Sequence, residues 1–424
     1  MKKWSIFFVL VFSLFANTLT ASAHADLSSS TPAEDDVFET MPNKVHLTFT
    51  TAIDSTVFEL NVRTQDGRSI LNGDVEINSH KNELSVALIP DVSGQIQIIY
   101  SVISKDGHPI KGVINFTVNK AGVVEEIETP IKEEVMTIEK MSDEDKNMTL
   151  ASEEKLAIND TEQMTSRVST LSAIIKFFYI TSLVLLSGLL IWTARGFRTR
   201  FVPSSQLFHL ALLFLFTWSQ ARDFLTVFDH LTWGDLFLRT EVGQYWTAAL
   251  VVTVMGLYIV GRNRIVDLSF VAILLLLKSL NSHAVASEFP FVTVGLNFMH
   301  LGLAAVWVGG LFILLTLWKQ GEKDVFLPVF SRAALFSILA LSVTGTIYAL
   351  ILAPSIDALW TTTWGYWLSA KILAVFGVFI VGGFIRRKIK INHDLTNKKF
   401  LYLDCGLALL ILLIVGVLTQ LSPS

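Results

Sequence analysis

The chain has one cysteine, Cys405, in 424 residues, which excludes a disulfide framework, a Cys-x-x-Cys motif and a membrane Cys-Pro-Cys metal motif. Charge is scarce, at 17% of residues. There is no Gly-x-x-x-x-Gly-Lys-Ser/Thr loop, so nothing in the chain points to coupling with nucleotide hydrolysis. Methionine is rare early on, Met41 being the only one between His24 and Asn119. Aromatic residues are missing from the stretch between Lys120 and Thr170.

What is abundant is hydrophobicity, 52% of the chain, with the excess lying after about Leu171. The chain therefore reads as half soluble and half membrane. Lys2 and Lys3, an apolar run from Trp4 to Phe15 and the small-residue site Ala21-Ser22-Ala23 have the layout of a secretory signal peptide over residues 1–23. Cleavage after Ala23 would leave His24 as the first residue. Its α-amino group and imidazole Nδ1 can close a chelate ring on one metal, and one further histidine would complete a three-nitrogen set suited to Cu(II). Ser104-Lys105-Asp106-Gly107-His108-Pro109 offers that histidine and a carboxylate on one loop. Read alone, it is equally a polar turn between strands.

From 24 to 119 apolar residues alternate: Val45, Leu47, Phe49; Phe58, Leu60, Val62; Leu84, Val86, Leu88; Ile96, Ile98, Tyr100, Val102; Ile114, Phe116, Val118. Period two with Asp66-Gly67, Asn72-Gly73 and Ser93-Gly94 between the runs predicts antiparallel strands and an all-β, immunoglobulin-like sandwich. Residues 120–170, with Glu125-Glu126, Glu133-Glu134 and Asp143-Glu144-Asp145, read as an acidic solvated linker.

Residues 171–424 predict an all-α polytopic bundle of about eight helices, near 172–194, 205–226, 243–262, 265–286, 291–318, 330–353, 365–385 and 400–421, each able to cross a hydrocarbon core of ~30 Å. Arg195, Arg198, Arg200, Arg262, Arg264, Lys319, Lys323, Arg386, Arg387, Lys388 and Lys390 then share one side. The positive-inside rule makes that side cytoplasmic and puts the β-domain and the C-terminus outside the cell membrane.

Ionisable groups within spans face the interior more often than lipid. His283 is expected one turn from the outer end of its helix, and His300 roughly 13 Å below the outer surface at 1.5 Å per residue. The two could meet on the outward half, with Asn297 on the face of His300 and with Met299 and Met255 offering thioethers for Cu(I). Ordinary packing explains each methionine equally well. Lys278 and Lys371 also lie in spans, with Glu288 and Asp357 as candidate partners.

The start His24-Ala25-Asp26-Leu27, Ser29-Ser30-Thr31-Pro32, Val45-His46-Leu47-Thr48-Phe49 and Ser104 to Pro109 together resemble the periplasmic copper-binding CopC family. Ser282-His283-Ala284, Met299-His300-Leu301 through Val308-Gly309-Gly310-Leu311, Phe330-Ser331-Arg332, Leu341 to Gly345 and Trp364-Gly365-Tyr366 through Lys371 are similar to the CopD family. The resemblance implies a histidine brace of His24, Asp106 and His108 on Cu(II), and a membrane domain that carries copper inward, with no enzymatic step and no nucleic acid. It makes an extracytoplasmic copper chaperone a candidate partner besides copper and the bilayer. Two departures bear on the site: Thr50-Thr51-Ala52 stands where the family often has Ser-Glu-Pro, and the methionine cluster of some members is missing, so one Cu(II) site is expected in the β-domain. Rival readings are an oxygen-activating copper brace, a haem protein ligated by His209, His283 and His300, and copper sequestration or resistance without transport.

Overall fold

The computed structural model describes residues 27–105, 107–119, 171–228, 230–317, 323–353, 355–392, 399–419 and 421. The expected signal peptide, His24, Asp106 and the expected linker lie outside these residues.

The first region is a sandwich of two four-stranded sheets. Its strands are β1 (Leu27–Thr31), β2 (Val37–Phe38), β3 (Lys44–Phe49), β4 (Ile53–Thr64), β5 (Glu76–Ile77), β6 (Glu83–Ala87), β7 (Gly94–Ser104) and β8 (Pro109–Val118). One sheet runs β1-β3-β6-β5 and the other β2-β8-β7-β4, antiparallel except for the parallel β2–β8 pair. The alternating residues sit between the sheets: Val45, Leu47, Phe49, Leu84, Val86, Ile98, Val102 and Phe116 are all buried in one core. β2 and β5, of two residues each, are too short to show a period, and β1, Leu-Ser-Ser-Ser-Thr, is too polar to show one.

The second region is helical: α1 (Leu171–Ala194), α2 (Val202–Val227), α3 (Trp233–Arg239), α4 (Glu241–Ile259), α5 (Arg264–Leu280), α6 (Pro290–Leu317), α7 (Lys323–Leu352), α8 (Ala358–Thr361), α9 (Thr363–Asn392) and α10 (Lys399–Leu418). Six of these, α1, α4, α6, α7, α9 and α10, are long and apolar enough to cross a membrane, which makes this a multi-pass membrane protein. Polar side chains set several boundaries. The Thr240 hydroxyl accepts from the Gly243 N–H to cap α4, and Asn263 Oδ1 accepts from Ile265 and Val266 to start α5.

One expected span is shortened. The helix foreseen to 286 stops at Leu280, where Asn281 leaves helical geometry (φ −101°, ψ 66°) and Ser282 caps a separate 3₁₀ turn, His283–Ala286. His283 therefore stands on a turn beyond the helix end, not within a span.

Helices α1 and α6 touch backbone to backbone. A Cβ on Gly188 would fall 2.1 Å from the Ala305 carbonyl oxygen, and one on Gly309 would fall 2.6 Å from the Gly188 backbone. The small-residue stretch 301–310 is thus a contact between helices.

The two regions are docked. Ile103 of β7 is buried in the apolar cluster of the helical region, with Phe228, Leu236 and Val242. The β-domain meets the end of α2, the start of α4 and the turn after α5, whereas Arg195 and Arg262 follow the opposite ends of α1 and α4.

Candidate metal centre at the domain junction

The loop joining β7 to β8 holds His108. Gly107 accepts φ +82°, a left-handed conformation that favours glycine, and its N–H donates to the Ser104 carbonyl at 2.8 Å. Ser104 N–H donates to the His108 carbonyl at 2.9 Å, and His108 N–H donates to Ser104 Oγ at 3.2 Å. The backbone on both sides of the imidazole is thereby pinned.

Three contacts seat this loop on the membrane region. Lys105 Nζ pairs with the Glu241 carboxylate. The buried Asp54 presents Oδ2 to the Glu241 N–H at 3.2 Å, so a carboxylate from the sandwich satisfies a donor in the first turn of α4. Gly107 packs so closely on Val242 that a Cβ would meet its Cγ2 at 2.8 Å.

Beneath the loop the His108 and His283 rings stack, with centroids 5.3 Å apart and planes 9° from parallel. His283 Nε2 lies 3.3 Å from the Thr419 carbonyl oxygen, which also accepts from Lys176 Nζ at 2.7 Å. Ser282, the neighbour of His283, accepts from Asn297 Nδ2 at 3.1 Å. Asn297 lies one turn before His300 on α6, and His300 Nδ1 is 3.0 Å from Thr344 Oγ1 of α7. Gly345 leaves room for that imidazole, since a Cβ would come within 3.2 Å of His300 Cε1. Lys371 of α9 adds its electrostatic field to His300.

The remaining candidates disperse. His209 is buried against α1, 2.9 Å from Ser182 Oγ and stacked on Tyr179. Met255 and Met299 are 54% and 55% exposed on the outside of the helical region, because their helices turn other faces inward. The structure does not bring them to the histidines. Lys278 donates to the Asn281 carbonyl at 2.8 Å, at the end of its own helix, rather than to Glu288 or Asp357. His209, His283 and His300 each have different partners, so the three-histidine haem arrangement is not assembled. Among the described residues no group of three or more His, Cys, Asp or Glu side chains is placed to hold a metal.

Sequence reasoning missed Asp54, Ile103, Lys105 and Glu241 as junction residues. A signal for Ile103 was present: Ile98-Ile99-Tyr100-Ser101-Val102-Ile103 breaks alternation into a nearly continuous apolar run, the mark of a strand covered on both faces.

Comparison with known proteins now adds to the geometry. Residues 27–119 match the family described as CopC domain, and residues 324–418 match Copper resistance protein D, CopD. One chain thus carries a match to each of these two family models. It is 24% identical over 400 residues to Copper transport protein CutJ of Bacillus subtilis (strain 168), a match covering 88% of this chain and 69% of CutJ. Among solved structures, CopC from Methylosinus trichosporium OB3b is 22% identical, covering 24% of this chain and 99% of that one with a TM-score of 0.23. PcoC, a methionine-rich copper resistance protein from Escherichia coli, is also 22% identical, covering 23% and 100%, with a TM-score of 0.21. The CopD match begins in α7, so Lys371 falls inside it, whereas His283 and His300 lie before it.

Proposed function

We propose that this chain acquires copper, the CopC domain capturing Cu(II) outside the cell and the membrane region carrying copper inward. The observation that carries this reading is the seating of the His108 loop on the His283 turn, which puts a CopC loop against a membrane region ending in a CopD domain. The naming of CutJ as a copper transport protein supports it.

In this reading, cleavage after Ala23 frees His24, whose amine and Nδ1 join His108 and Asp106 in a histidine brace. The carboxylate occupies a position that an oxygen-activating copper site would keep open, so the chain acts as a carrier rather than an enzyme. Six apolar helices, together with α2 and α5 as two further crossings, give eight, with the immunoglobulin-like sandwich and the C-terminus outside and the arginine-rich turns in the cytoplasm. Tethering raises the effective copper concentration at the outer mouth, where His283 and then His300 receive the ion. With no nucleotide-binding loop, flux follows the copper gradient, the membrane potential or capture inside the cell.

Isotopic copper flux into sealed vesicles of known orientation tests this. Inward flux that falls at least about tenfold in His108→Ala is expected, because a lost ligand weakens capture on that scale or beyond. Copper bound without accumulation in the lumen would make the protein a sequestering one. Terminal sequencing that finds a residue other than His24 would remove the brace.

A further inference from the structure

We propose that His108 and His283 together form a two-imidazole copper site shared by the CopC domain and the membrane region, through which the ion crosses the junction by ligand exchange. This deepens the copper reading above and rests on it.

The two rings come from separate regions, yet they lie parallel at 5.3 Å. That register is held from several directions: by the Lys105–Glu241 pair, by Asp54 on the first turn of α4, and by Gly107 against Val242. Metal–imidazole bonds are about 2 Å long, so an ion between two ring nitrogens spans roughly 4 Å. The ring centroids, 5.3 Å apart, lie on that scale.

The chemistry of His283 fits a ligand. A carbonyl oxygen only accepts, so the contact with Thr419 fixes the N–H on Nε2 and the lone pair on Nδ1. A ring that donates one N–H to a backbone carbonyl while the other nitrogen faces a cation is the usual second-sphere arrangement of metal-binding histidines. Lys176 donates to the same carbonyl, so a positive charge borders the site and keeps it weaker than the capture site. A weaker acceptor suits transit. Onward, the Ser282–Asn297 bond ties the turn to the helix face that carries His300.

The step replaces one copper–nitrogen bond with another. Cu(II) keeps its charge, neither imidazole gains or loses a proton, and no reductant is required.

The test uses the full chain in detergent, in a His24→Ala background that removes the brace imidazole, titrated with Cu(II) and followed by the nitrogen couplings in its paramagnetic resonance spectrum. Imidazole-coupled copper is expected, with affinity falling about tenfold or more on adding either His108→Ala or His283→Ala. His283→Gln, whose amide retains a donor for the Thr419 carbonyl, should lose affinity as the alanine does. Affinities within about twofold of the His24→Ala parent in the His283 variants, or no imidazole-coupled copper in that parent, would overturn the site. If His283→Ala misfolds, His283→Gln decides. Wild-type flux separates the two claims: flux without His283-dependent binding sinks only the shared site, and His283-dependent binding without flux sinks only transport.

Discussion

The sandwich and the helical region solve opposite solvent problems with similar residues. In the sandwich Phe49 and Phe116 are inside and, among the described residues, every charged side chain but the junction residue Asp54 is at least partly exposed. In the helices Phe336, Leu373 and Phe376 stand on the outside, while Ser182, His209, Thr253 and Ser279 are buried. Water drives the first arrangement. Hydrocarbon outside the second removes the reward for burying apolar groups and makes internal hydrogen bonds the stake, as in Ser182 with His209 and Thr253 with the Ala249 carbonyl. Exposure thus carries different meanings in the two halves, and an outward Phe in the bundle is no exposed patch.

The sharpest way to break this contrast is to truncate one Phe in each half. Phe116, 1% exposed, should cost about 3–5 kcal/mol of sandwich stability as Phe116→Ala, from lost transfer energy and the cavity left behind. Phe376, 62% exposed, should change stability by no more than about 0.5 kcal/mol as Phe376→Ala, because its ring faces lipid before and after helix association. Denaturant-dependent proteolysis of the detergent-solubilised chain measures both. Equal costs would mean that the outer helical face is covered by protein.

Within the bundle, close packing takes the place of hydrophobic drive. Gly309→Ala forces a methyl into the Gly188 backbone and should destabilise the α1–α6 contact by about 1–3 kcal/mol. Gly383→Ala has open space around it and should be neutral or slightly stabilising, since alanine favours helix. Thermal unfolding of the two variants in the same detergent compares them. A neutral Gly309→Ala would show that the helices can separate at no cost.

The same contrast governs what could be read from sequence. The period-two residues of β3, β4, β6, β7 and β8 were legible because a sandwich face admits only one phase. The long helices were legible from apolar length alone, but the end of α5 was not: Lys278, Asn281 and Ser282 act through backbone capping, while the apolar Ala284-Val285-Ala286 beyond them makes the span read as continuing. His108 and His283 each stand out in the sequence as candidate metal ligands. Their stacking does not, because it joins residues 175 apart through a docking surface that no periodicity encodes. Met255 and Met299 were misplaced for a related reason: on a helix surrounded by hydrocarbon, chemistry alone does not say which face turns inward.

The junction joins the two solvent regimes, and its electrostatic part should show the smallest effect. The Lys105 and Glu241 side chains keep 24% and 42% of their exposure, so water and salt screen the pair, and its contribution to docking should be about 0.2–1 kcal/mol. That corresponds to at most about a fivefold change in the docked population. Distances between spin labels at Asp74 and Arg262, in a Cys405→Ser background, report that population. Lys105→Glu and Glu241→Lys should each broaden the distribution, and the double reversal should restore it, which isolates the pairwise energy. Raising ionic strength to about 1 M, where the Debye length is near 3 Å, should move wild type toward the single variants. If both single reversals leave the distances unchanged, Ile103 and the Gly107–Val242 contact hold the domains together and the ion pair only borders them.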